Sequence, residues 1–137
     1  HNGVDYAAPS GTAVRSVATS GELLRARELL DRVYVDAKLC TYVVDLVHAT
    51  RRPAEVSLAG LAPLILYGAS PRASIALTQA ARARAFLDGR GYVLPHDVKA
   101  VAMDVLRHRV ITTYEAEAEG LTSEHVIQQL LDHVPVP

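Results

Sequence analysis

The sequence predicts an all-α protein, a small helical bundle of about five helices with room for a short two-stranded β element. Three observations carry this expectation. Apolar residues recur at helical spacing in successive segments, helix-starting and helix-stopping residues flank those segments, and no long stretch alternates apolar with polar residues as a half-buried strand does. With 137 residues, half of them hydrophobic and 21% charged, the chain is long enough to bury a core and too apolar for a disordered tail.

Residues 1–18 have no helical period and contain Gly3, Pro9, Ser10 and Gly11, so they read as an extended lead-in or linker. Thr19 and Glu22 have capping-box spacing and precede Leu23, Leu24, Leu29, Leu30 and Val33, which predicts a first helix. Val33-Tyr34-Val35 is a short β-branched and aromatic run before Asp36, a second N-cap. Leu39, Tyr42, Val43, Leu46 and Val47 then line one helical face, and Arg51, Arg52 and Pro53 close that helix. Cys40 falls in this apolar pattern and reads as a small buried hydrophobe. Gly60 and Pro63 interrupt residues 54–69, which read as a buried, largely irregular connection with room for a short helical turn.

Ser70 and Pro71 read as N-cap and first position of an alanine-rich helix running to about Asp88, with Gly89 and Gly91 ending it. Pro95 opens a helix with Val98, Val101, Ala102, Val105 and Leu106 on one face; another follows Thr122 or Ser123 with Ile127, Leu130, Leu131 and Val134. Residues 107–113 are the best remaining place for a strand, pairing near 33–35 or 92–94.

Fourteen basic against fifteen acidic residues leave a net charge of −1, which gives no bulk attraction to nucleic acid or anionic lipid. No segment is apolar and long enough for a membrane span, and no signal peptide opens the chain, so a cytoplasmic location is expected. The first residue is His1 and not Met, which reads as a piece of something longer. There is no phosphate-cradling G-x-x-x-x-G-K-[ST] loop, and the commonest nucleophile and metal signatures are absent; the chain alone is not expected to be an enzyme.

The chemistry concentrates at Gly68-Ala69-Ser70-Pro71-Arg72-Ala73. If Ser70 caps and Pro71 starts the helix, Arg72 sets a guanidinium beside the positive end of the helix dipole, which typically costs ~0.3–1 kcal/mol. A helix N-terminus offers free N–H groups to phosphate, and a guanidinium adds a planar fork of donors for the same anion. The competing reading leaves Arg72 solvated or paired with a nearby carboxylate.

GASPRASIALTQAARARAFLDGRGYVLPHDVKAVAMDVLRHRV resembles the C-terminal lid of the MoxR family of AAA+ ATPases, with a G-A-S-P-R-A motif, a G-R-x-Y-V turn, a P-x-D-V helix start and an H-R pair in order. The flanks extend the resemblance over residues 19–137, and a weaker one links the chain to the lid of magnesium-chelatase ATPase subunits. The MoxR resemblance implies that Arg72 is the sensor-2 arginine, reaching the γ-phosphate of ATP held by a preceding nucleotide-binding domain, with Gly68, Ser70 and Pro71 as structural support. It further implies ATP and Mg²⁺ for the intact parent only, neighbouring subunits of a hexameric ring, and partners with von Willebrand factor A-like domains. Leu94, where the family usually has a hydroxyl residue before Pro95, departs from the pattern and weakens an N-cap.

A reading of a different class is a free-standing helical interaction or nucleic-acid-binding domain using Arg107-His108-Arg109 with Arg82, Arg84 and Arg90. Glu115, Glu117 and Glu119 read as a solvated loop or helix start, and no metal is assigned to them.

Overall fold

The computed structural model describes residues 15–137, so most of the expected lead-in lies outside the described residues. Among them the chain forms six α-helices, two 3-10 helices and one two-stranded antiparallel sheet, in agreement with the predicted class. The helices are α1 (Ser20–Leu30), α2 (Ala37–Ala49), α3 (Arg72–Leu87), α4 (Pro95–Leu106), α5 (Tyr114–Ala118) and α6 (Ser123–His133).

Local sequence explains the helix starts. Thr19 accepts from the Glu22 N–H at 3.2 Å while Glu22 accepts from the Thr19 N–H at 2.7 Å, the reciprocal capping box. Asp36 caps α2 by accepting from the Lys38 N–H at 2.9 Å, and Thr113 and Thr122 cap α5 and α6. The predicted face of α2, Leu39, Tyr42, Val43, Leu46 and Val47, is buried throughout. Cys40 is exposed instead: one residue beyond Leu39, it sits about 100° around the helix from the core face. The first helix forms where expected, although α1 buries no residue and Leu23 and Leu24 stay exposed. A strong cap makes the helix, which rests on α3 while, among the described residues, Leu23 and Leu24 stay uncovered.

The core is built around α3. Ala73, Leu77, Ala81 and Ala85 form its fully buried stripe, and their small side chains let the backbones of α2 and α4 come close. Val98, Ala102 and Leu106 of α4 and Val126, Ile127, Leu130 and Leu131 of α6 complete the interior. Lys99 ties α4 to α6 by donating to the Leu131 carbonyl at 3.0 Å.

The first turn of α4 carries the one fully buried carboxylate among the described residues, Asp97. Gly89, at φ +74°, ends α3; its N–H reaches the Phe86 carbonyl at 2.9 Å and the Arg90 N–H reaches that of Ala85 at 2.9 Å. This left-handed turn delivers Arg90 to Asp97, where two nitrogens meet the two carboxylate oxygens at 2.7 and 2.6 Å. Asp97 also accepts from the Leu94 N–H at 2.8 Å, so it supplies from inside α4 the bond that the Leu94 side chain cannot. Burial pushes the Asp97 carboxyl up, but Arg90 and the Leu94 N–H more than offset that, and it lies below the usual aspartate range. Because the folded pKa is depressed, this stabilisation is complete above about pH 4 and is lost as the pH falls through the lowered value. The melting temperature should therefore drop on acidification below about pH 4, and Asp97→Asn should flatten that acid limb. An unchanged limb in the variant would show that other carboxylates set it.

The sheet corrects the expected pairing. β2 (Ile111–Thr112) lies within the predicted strand region, but its partner is β1 (Ile65–Tyr67), with Ile65 opposite Thr112 and Tyr67 opposite Ile111. Gly60 and Pro63 disguise β1 in the sequence: they lie within a 3-10 segment, Ala59–Leu64, directly before it. The two segments expected to receive the strand meet each other instead, through a parallel bridge of Tyr34 and Tyr92 that leaves Val33 and Val93 buried beneath. Residues 54–69 are thus more ordered than expected, with Leu61 and Ala69 buried and much of the rest exposed.

Candidate functional site

β1 leads directly through Gly68, Ala69, Ser70 and Pro71 into Arg72, the first residue of α3. The helix begins one residue later than expected, with Pro71 in the cap position and no side-chain cap. Ser70 contributes its carbonyl, which accepts from the Ala73 N–H at 2.8 Å, so its expected role as a hydroxyl cap is not realised. Proline supplies a preset φ, and the Ser74 N–H is taken by the Pro71 carbonyl at 3.1 Å, so backbone carbonyls rather than a side chain close the first turn.

The turn is held from behind. Thr50, fully buried at the end of α2, donates its hydroxyl to the Val47 carbonyl at 2.7 Å and accepts from the Ala69 N–H at 2.9 Å. Gly68 packs against the same residue: a Cβ there would fall 2.7 Å from the Thr50 carbonyl carbon and 2.8 Å from Cγ of Arg51. Glycine is required here for close approach of two backbones, not for a left-handed conformation. Thr50 escaped sequence reasoning because its partner lies nineteen residues away and a threonine after a helix has no distinguishing spacing.

Arg72 is exposed, and among the described residues it has neither a hydrogen bond nor a carboxylate within 4.0 Å. The first turn of α3 carries no acidic residue. Among the described residues, the alternative in which Arg72 pairs with a neighbouring acid is therefore not realised. The site fits one edge of an anionic group, because an unpaired guanidinium stands at the positive end of a sixteen-residue helix. It does not fit a whole triphosphate, for which this chain has no glycine-rich cradle.

The proposed basic surface is made of arginines that already have partners. Arg82 lies 3.7 Å from Asp31, Arg84 lies 3.5 Å from Asp88, Arg107 lies 2.7 Å from Asp104, and Arg90 is committed to Asp97. Arg109 donates to the Val105 carbonyl and contacts His108. An anisotropy titration with duplex DNA is expected to show no saturable, salt-sensitive binding; a steep loss of affinity with salt would restore the nucleic-acid reading. Asp88, His96 and Asp97 come close enough to suggest a cation, but the Arg90 guanidinium already lies between the two carboxylates. Glu115, Glu117 and Glu119 are exposed on and just after α5.

The family model for the AAA lid domain matches residues 61–130, which include the Arg72 turn, α3, α4 and most of α6. The chain is 41% identical over 123 residues to Chaperone MoxR1 of Mycobacterium tuberculosis, covering 90% of this chain and 33% of that protein. It is 43% identical over 102 residues to Protein MoxR of Paracoccus denitrificans, covering 70% of this chain and 30% of that one. The crystal structure of an inferred ATPase from Cytophaga hutchinsonii superimposes with a TM-score of 0.83 at 45% identity, over 85% of this chain and 36% of that one. The chain belongs to the AAA lid domain family, as a lid of the MoxR type. It spans about a third of the length of the curated relatives it matches.

Proposed function

We propose that residues 19–137 are the C-terminal lid of a MoxR-type AAA+ ATPase in which Arg72 is the sensor-2 arginine, with residues 1–18 linking it to the nucleotide-binding domain. The observation that carries this reading is the unpaired, exposed guanidinium of Arg72 on a helix whose start is pinned through Thr50. ATP with Mg²⁺ would be held mainly by the preceding domain, and it supplies the phosphoryl group to be cleaved. What this chain contributes is a fork of N–H donors for oxygens of the γ-phosphate, placed where the helix N-terminus already favours negative charge.

Because Arg72 is part of a rigid, alanine-packed helix, an anion that attracts it draws the whole lid. Loss of the γ-phosphate removes that attraction, so the lid orientation follows nucleotide state. In a hexameric ring this coupling would reach the neighbouring subunit and drive chaperone-like remodelling of partner proteins, including those with von Willebrand factor A-like domains. Among the described residues no helix is long and apolar enough to cross a membrane, and we place the ATPase in the cytoplasm. The test is ATP turnover by the intact protein with Arg72 replaced: loss with a folded lid supports the reading, and normal turnover overturns it.

A further inference from the structure

We propose that Thr50 is a positioning residue for Arg72, its hydroxyl setting where the guanidinium stands by tying the turn before α3 to the end of α2. The inference rests on the sensor role proposed for Arg72. Three observations meet at this residue. The Thr50 hydroxyl is used in both directions, toward Val47 in α2 and from the Ala69 N–H, three residues before Arg72. Gly68, next to Ala69, lies so close to the Thr50 carbonyl that no side chain fits between them. The start of α3 has no side-chain cap of its own.

Together these features leave the direction of the Arg72 turn to Thr50. A helix begun by a cap carries its own local constraint, and this one borrows its constraint from α2. The end of α2 is braced in turn, because Glu55 accepts from Arg52 at 3.0 Å and lies 2.8 Å from His48. A displacement of the α2 end is therefore passed to the guanidinium through one hydrogen bond and one backbone contact, and the position of α2 becomes an input to nucleotide sensing.

The experiment compares four variants of the intact ATPase, Thr50→Val, Thr50→Ser, Arg72→Ala and the Thr50→Val/Arg72→Ala double variant, by steady-state ATP turnover with thermal melting alongside. Thr50→Val should lower kcat by about tenfold, Thr50→Ser should restore it to near wild type, and Thr50→Val should cause no further loss once Arg72 is alanine. Independent, multiplying losses in the double variant would mark Thr50 as merely structural and overturn the proposal, as would a Thr50→Ser variant no better than Thr50→Val. Should Thr50→Val fail to fold, Thr50→Ala removes the same hydroxyl with a smaller side chain and should be equally non-additive with Arg72→Ala. Normal turnover in Thr50→Val beside a defective Arg72→Ala overturns the positioning role alone, whereas normal turnover in Arg72→Ala removes the sensor reading and this one with it.

Discussion

Arg72→Ala in the intact ATPase should reduce ATP turnover by about a hundredfold or more, while the lid stays folded. The size follows from losing a fixed donor fork at a developing phosphate charge, for which single electrostatic groups are worth about 10²–10³ in rate. The fold should be spared because Arg72 is exposed and has no hydrogen bond or ion pair among the described residues. Its removal also takes a cation from the wrong end of a helix, so stability should change by no more than about 0.5 kcal/mol. Arg72→Lys should recover only part of the activity, since a point charge lacks the planar fork. The measurement is steady-state hydrolysis with melting of the lid as control; wild-type turnover in a folded Arg72→Ala protein would deny the residue any part in sensing.

The largest loss of stability is expected at Asp97→Ala, by about 2–3 kcal/mol. Three groups lose an acceptor at once: the Leu94 N–H and the two Arg90 nitrogens, which keep only the Tyr92 carbonyl and Asp88. A buried ion pair is weak evidence of net stabilisation against an apolar replacement, but removing the carboxylate takes the strongest hydrogen bonds from the guanidinium. Chemical denaturation of the chain measures the difference. A loss below about 1 kcal/mol would mean that Arg90 finds Asp88, 3.1 Å away, an adequate substitute.

Much of the bundle could be read from residues 19–137 in order. The face of α2, the stop at Gly89 and the starts of α1, α2, α4 and α6 lie where spacing and caps put them, because each is decided by residues within a turn or two. The Arg72 motif was equally legible, since its residues are consecutive. Reading failed where the deciding partner is remote. β2 was found and its mate was not, for strand pairing depends on which segments the helices bring together, and β1 lies behind Gly60 and Pro63. Cys40 was read as buried from its apolar surroundings, yet burial requires another element on that side. The arginines of the supposed basic surface were counted as charges, and their aspartates came from the fold.

Local patterning alone thus established the helices, their ends and the arginine at the start of α3. Folding in three dimensions decided that, among the described residues, this arginine is left without a carboxylate while Arg82, Arg84, Arg90 and Arg107 are given one, and that Thr50 bonds to its turn. The reason is physical: capping and amphipathicity act over a few residues, whereas charge pairing and a buried hydroxyl bridging nineteen residues exist only once the chain has closed on itself.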